Sequence, residues 1–210
     1  MDVLEAIKTR RSIRKYKSKP VEWDKVSEIL NAGKLAPSAG NLQNWMFITV
    51  QEEATRKKIA EACLNQAWMA AAPTHIAITA EPEKARRYYG IRGERLYTIQ
   101  NCAAAAQNML LAAKELGLGA CWVSAFDDDM ISRVLGLPEH CRVYAIITIG
   151  YSAEEPEQPP KYRIEHVVRF ERWGNRRRIP TYGYYSLEVK KHVEKGKNAL
   201  KKLAEKIKSK

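Results

Sequence analysis

Five consecutive residues, Arg10-Arg11-Ser12-Ile13-Arg14, set three guanidinium groups and a hydroxyl side by side. Guanidinium forks match phosphate oxygens in bidentate fashion, and serine adds a neutral donor. The alternative for such a cluster is a solvated basic surface with general affinity for polyanions. A second basic segment begins at Lys161-x-Arg163, and residues 161–178 hold seven basic and two acidic residues. Residues 1–20 hold the same numbers, and residues 187–210 hold nine lysines and three glutamates. The net charge of the 210-residue chain is +12, so the rest of it must be acidic overall. That balance speaks against a general nucleic-acid platform. The arrangement of the first cluster, with guanidinium groups beside a hydroxyl, favours the reading of two segments, distant in sequence, that meet around one phosphate.

Other chemistries have weaker signals. Pro37-Ser38-Ala39-Gly40-Asn41 is loop chemistry, with small residues that let a ligand approach the backbone. Gly117-Leu118-Gly119 follows a helix and lacks a third glycine, so it is no dinucleotide fingerprint. There is no P-loop. Cys63, Cys102, Cys121 and Cys141 form no CxxC pair, and His75, His140, His166 and His192 show no HxxxH or HExxH spacing. No metal site is expected, and the cysteines read as buried and reduced, as in a cytoplasmic protein. The longest strictly apolar run, Ala67 to Ala72, is far short of a bilayer span. Asp2, Glu5 and Arg10-Arg11 without an apolar stretch argue against a secretory leader.

The elements that must position these residues follow from periodicity. Val3, Leu4 and Ile7 predict a short helix, and Val26, Ile29, Leu30 and Gly33 predict another over 22–34. Strands are expected at Trp45–Val50, Thr74–Ala80, Ala120–Ser124 and Arg142–Ile149, and a helix at 52–64. Residues 94–116 carry the clearest helical stripe, and the small run Ala103–Ala106 suits a central or interfacial helix. Asp127 or Asp128 caps a helix that ends near Gly136. Residues 81–93, with Arg86, Arg87, Tyr88, Tyr89 and Arg92, read as a surface loop or the wall of a pocket. Residues 165–170 read as a last strand and 186–208 as a basic amphipathic helix. The order of elements favours an α+β sandwich over a doubly wound sheet.

Several motifs then coincide in order. Arg10-Arg11-Ser12-Ile13-Arg14-Lys15-Tyr16 is followed by Ala36-Pro37-Ser38-Ala39-Gly40-Asn41-Leu42-Gln43-Asn44-Trp45. Then come Ala103-Ala104-Ala105-Ala106-Gln107-Asn108-Met109-Leu110-Leu111 with Gly117-Leu118-Gly119-Ala120-Cys121-Trp122, Leu135-Gly136-Leu137-Pro138, and an apolar strand ending at Gly150-Tyr151. Over about residues 1–175 the chain resembles the FMN-dependent nitroreductase family. The resemblance implies an α+β three-layer sandwich, a mainly antiparallel sheet flanked by helices, in an intertwined homodimer with FMN at the interface. It implies an FMN-binding domain over 1–178 and leaves 179–210 as a basic C-terminal extension.

It also implies roles. Arg10, Arg11 and Ser12, with Lys161 and Arg163, would bind the FMN phosphate, and Arg14 would lie at the flavin pyrimidine edge. Pro37, Ser38, Ala39 and Asn41 would reach the flavin from the partner subunit. Gln66 would bond the ring edge, and Trp122, Val123, Ser124 and Ala125 would lie behind the ring. Asn44 stands where proline commonly precedes the tryptophan, and Ser124 stands at a position that is acidic in some branches. The activity implied is a ping-pong transfer of hydride from NADH or NADPH to nitroaromatics, quinones or similar acceptors, with no catalytic acid–base dyad. The alternatives are a same-fold flavoenzyme specialised for reductive dehalogenation or flavin fragmentation, and a nucleic-acid or membrane-surface binder acting through the lysine-rich tail.

Overall fold

The computed structural model describes residues 2–175. The chain divides into two units, Met1–Gln158 and Pro159–Lys210.

The first unit is built on a four-stranded sheet of order β1-β2-β4-β3: β1 (Trp45–Val50), β2 (Thr74–Ala80), β3 (Gly119–Val123) and β4 (Arg142–Gly150). Every pairing in it is antiparallel. The two central strands are apolar on both faces, and this is why β2 and β4 read as continuous hydrophobic runs. Alternation sorts their side chains between two cores. Ile76, Ile78, Ala145, Ile147 and Ile149 face α2 (Trp23–Lys34) and α5 (Thr98–Glu115). Ala77 and Ile146 face α3 (Glu53–Ala62) and α6 (Asp128–Leu135). The result is the three-layer α+β sandwich expected from the sequence. Between Ile78 and Thr79 the register slips, so that Tyr144 is the extra residue of a bulge, and Val143 shares a face with Ile146.

Small residues set the closest approach. Ala105, Ala106 and Ala113 of α5 are fully buried, and a Cβ on Gly33 of α2 would lie 2.3 Å from Met109 Cε. Asp127 caps α6 by accepting from Met130 N, and Gly136 closes it in the left-handed region.

Two expectations are corrected. Residues 81–93 are not a loop: Pro82–Arg92 forms α4, kinked at Gly90, and a π-turn at Gly93–Tyr97 leads into α5. Proline at the first turn starts α4, and Ala85 is its buried anchor. The long stripe therefore begins as a π-turn and becomes α-helix at Thr98. In the second unit, residues 165–170 are not a strand; Ile164–Val167 forms a one-turn helix, α7, and no residue of that turn is buried. The N-terminal helix α1 (Val3–Thr9) forms as expected, with Asp2 as its cap. The helix expected at 186–208 and the extension 179–210 lie outside the described residues. No helix among the described residues is long and apolar enough to cross a membrane.

All four cysteines are free. Three are buried, and burial pushes the Cys63 and Cys102 thiols up to about 12. Cys141, expected to be buried, is only partly so.

Candidate active site

β3 is an edge strand, and the segment after α1 covers it. Ile13 N donates to Ala120 O at 3.0 Å, and Ser12 bridges Ala120 in parallel fashion. The approach requires glycine at 119, where a Cβ would come within 2.9 Å of both Ile13 γ-carbons. Two groups lock the far end. The Tyr16 hydroxyl lies 2.6 Å from Ile13 O and 2.8 Å from Thr148 Oγ1, and burial holds its pKa well above the usual tyrosine value. The Glu154 carboxylate accepts from Arg14 N (2.6 Å) and Lys15 N (3.0 Å), which holds its pKa below the usual range.

Alternate residues of an extended segment share a side. Arg10, Ser12 and Arg14 accordingly converge on one buried group, the Cys121 thiol. Burial raises the Cys121 pKa, while the Arg14 charge, a hydrogen bond with Ser12 and the Arg10 charge pull it back. Among the described residues the Arg10 guanidinium has neither an ion pair nor a hydrogen bond. The Arg14 guanidinium lies over the Trp68 ring, 5.7 Å from its centroid. Trp68 belongs to the 3₁₀ turn Ala67–Ala71, which Gln66 introduces. Gln66 Nε2 donates to Cys63 O at 3.0 Å and to Ala125 O at 3.4 Å. Trp122 packs against the α2/α5 core while its Nε1 donates to Ser124 Oγ at 2.5 Å; Val123 is buried on the opposite face. Arg10, Ser12 and Arg14 thus lie in the segment that covers the β3 edge, and Gln66 bonds Ala125 just beyond the end of that strand.

Arg11 turns away from this edge. Its guanidinium donates to Lys8 O and Arg10 O, both at 2.8 Å, and to Gln158 Oε1 at 3.4 Å. It borders a cleft of about 330 Å³ that also takes in Arg10, Lys114 and Gly117–Ala120, beside the C-terminal end of α5.

The loop with Pro37, Ser38, Ala39 and Asn41 lies at the other end of α5. Ala39 N donates to Asn101 Oδ1 (2.9 Å), Asn101 Nδ2 to Asn44 Oδ1 (2.8 Å), and Asn44 Nδ2 to Thr98 Oγ1 (3.0 Å). The Ser38 hydroxyl accepts from Gln43 N at 3.0 Å. Asn44, 2% exposed, is the centre of this buried network, which accounts for asparagine before Trp45. Asn101 and Lys114 are thirteen residues apart on α5, about 20 Å by helical rise. One chain therefore keeps the loop far from the Arg10 end.

Lys161 and Arg163 belong to the second unit. Both are exposed, and Arg163 Nε lies 3.5 Å from Glu165 Oε2. Sequence reasoning missed Tyr16, Glu154, Asn101 and Trp68 as positioning residues. Tyr16 closes the first motif, so its place there was a signal; Glu154 and Asn101 gave none, because their partners are remote in sequence.

The structure thus sets an arginine-serine row against a sheet edge, with a glutamine and an exposed strand end on the same α+β unit. A profile of the Nitroreductase family matches residues 7–68 and 63–151, and the chain belongs to this family of oxidoreductases. A Methanothermobacter thermautotrophicus protein, provisionally named an NADH dehydrogenase/NAD(P)H nitroreductase, is 37% identical over 177 residues, 82% of this chain and 88% of that one. The solved FMN-dependent nitroreductase of Clostridium difficile R20291 is 32% identical, with a TM-score of 0.70 over 81% of this chain and 99% of that one. The 5,6-dimethylbenzimidazole synthase of Rhodospirillum rubrum is 27% identical over 203 residues, 85% of this chain and 92% of that one.

Proposed function

We propose that this protein is an NAD(P)H-dependent FMN oxidoreductase that works as a homodimer. The observation that carries the proposal is the convergence of Arg10, Ser12 and Arg14 on the β3 edge with the Arg10 guanidinium unpaired. The donor set fits FMN. Arg10 and Ser12 supply a cation and a hydroxyl of the kind a phosphate dianion needs. Arg14, held in place by Glu154, supplies a positive charge for the pyrimidine edge. Gln66 and the exposed Ser124 and Ala125 supply polar and backbone groups for the ring edge.

The chemistry FMN supplies when bound is hydride transfer, from NADH or NADPH to nitroaromatics, quinones or similar electron-poor acceptors in a ping-pong cycle. The protein's own contribution is position and charge. The Arg14 guanidinium opposes negative charge at the pyrimidine edge and so favours the reduced cofactor. The backbone N–H groups of Trp122–Ala125 orient the ring, and no acid–base dyad is required. Pro37, Ser38, Ala39 and Asn41 complete the site from the partner subunit, which answers the 20 Å gap along α5. The exposed apolar face of α1 (Val3, Leu4, Ile7) and the exposed Ile99 of α5 suit burial against a second copy.

The test is the purified chain itself. It is expected to carry flavin absorbance or to gain it on adding FMN, and the bound flavin is expected to bleach with NADH or NADPH and recover with a nitroaromatic or quinone. A protein that takes up no FMN overturns the proposal. A second reading, favoured by the likeness to 5,6-dimethylbenzimidazole synthase, is a specialised fragmentation of the flavin. It predicts consumption of FMN under air with a benzimidazole product, in place of acceptor turnover. The binder acting through the lysine-rich tail rests on residues outside those described.

A further inference from the structure

The register of β2 against β4 sets Ala80 opposite Arg142, so Glu81 and Cys141 follow as neighbours just beyond the end of the ladder. Glu81 is held there by its backbone: its N donates to Asn44 O at 3.1 Å, and its carbonyl accepts from Asn44 Nδ2 at 3.3 Å. On the other side Cys141 N donates to Pro138 O at 2.9 Å, closing a turn that presents His140 next to Cys141. A carboxylate oxygen of Glu81, a ring nitrogen of His140 and the Cys141 sulfur all lie within 4.8 Å of one another. Among the described residues, none of these three side chains makes a hydrogen bond or an ion pair.

We propose that Glu81, His140 and Cys141 form a binding site for a zinc-class divalent cation. The donor set is one oxygen, one nitrogen and one sulfur, the mixture that a borderline-soft tetrahedral ion accepts and that magnesium or calcium does not. Ligands about 2.0–2.3 Å from a tetrahedral zinc stand roughly 3.3–3.8 Å apart, so the trio closes by about 1 Å through side-chain rotation. Three protein ligands leave the fourth position to water, and the exposure of His140 keeps it open to solvent. On binding, the Cys141 thiol gives up its proton to solvent and the thiolate takes the metal.

The site has a structural consequence of its own. Glu81 is the N-cap residue of α4 and makes no side-chain cap bond there. A metal shared with His140 and Cys141 ties the first turn of α4 to the start of β4. It fastens the helix that carries Arg86, Arg87, Tyr88 and Tyr89, whose Gly90 kink otherwise interrupts it. The spacing of cysteines and histidines could not reveal this site, because Glu81 arrives across the sheet and only two ligands are adjacent in sequence.

The experiment is cobalt(II) titration of the untagged full-length chain, read as a difference spectrum against the metal-free protein, followed by zinc competition. The expected result is one equivalent bound with a sulfur-to-cobalt charge-transfer band that zinc displaces. The Cys141→Ser variant is expected to lose the band, and Glu81→Gln to weaken binding at least tenfold. Zinc is expected to raise the melting temperature of the wild-type chain but not of Cys141→Ser. His140→Asn, at an exposed position, serves as the variant whose folding is not in question, and it is expected to weaken binding as Glu81→Gln does. Absence of the band, a band unchanged in Cys141→Ser, or an affinity unchanged in His140→Asn overturns the proposal. None of these readouts depends on FMN binding or turnover.

Discussion

The Arg10 guanidinium is the only cation of the Arg10, Ser12, Arg14 row left without a partner ring or bond among the described residues: Arg14 lies over Trp68, while Arg10 has neither ion pair nor hydrogen bond. Losing one charge-assisted partner from a phosphate costs more than about 1 kcal/mol. Arg10→Ala is therefore expected to weaken FMN at least about fivefold in a fluorescence titration while leaving the melting temperature unchanged. Equal affinity would remove Arg10 from the site. His75 is a different case, a buried base with no role in binding. Its ring Nε2 lies 2.8 Å from Met69 O, its Nδ1 has no partner, and burial depresses its pKa to about 4. The folded protein keeps His75 neutral down to about 4, whereas the unfolded chain takes up a proton below about 6.5. Stability is thus complete above pH 6.5 and falls as pH drops toward 4, on the order of 3 kcal/mol in all. Urea melts across this window should show a slope shallower by up to about 1.4 kcal/mol per pH unit in His75→Gln. Identical slopes would show that another group drives the acid transition.

At the scale of elements, periodicity carried most of the fold. β1 and β2 fall at the expected residues, because both are short segments rich in apolar and β-branched residues. Asp127 and Gly136 marked α6 by capping chemistry alone. What periodicity could not show was α4, since its residues are mostly polar and exposed and only Ala85 and Pro82 are buried. The one-turn helix at Ile164–Val167 looked like a strand because Ile164, Val167 and Val168 are β-branched, yet none of them is buried. The arginine-serine row was legible as a motif, while the groups that fix its direction were not: Glu154 reaches it from 140 positions away. The contact of that row with β3 is the tightest point of the site. Gly119→Ala would drive a Cβ to 2.9 Å from Ile13, a β-branched side chain with no free rotamer to yield. The substitution is expected to cost about 1–3 kcal/mol and to loosen FMN as well, because the Arg10–Arg14 segment must lift off the strand. A destabilised variant with unaltered cofactor affinity would separate the packing from the site.

For the molecule as a whole, the decisive quantity is the distance between the two halves of the predicted site. Ala39 is anchored on Asn101, near the start of α5, and Arg10 shares a cleft with Lys114, near its end, about 20 Å away. On the proposed function, a two-fold dimer would supply each site with the Arg10 rim of one protomer and the 37–41 loop of its partner. Subunit mixing tests this directly. Asn41 sits at a φ of 53°, a conformation aspartate tolerates, so Asn41→Asp keeps the loop while adding a negative charge that would repel an anionic cofactor. Arg10→Ala and Asn41→Asp homodimers should each bind FMN poorly. In an equal mixture, half of the dimers are mixed and one of their two sites is intact, so about a quarter of wild-type binding should return. Recovery on mixing is possible only if the two residues act in one site from different chains. No recovery, with exchange of subunits verified by mass spectrometry, would place both residues in the same protomer's site.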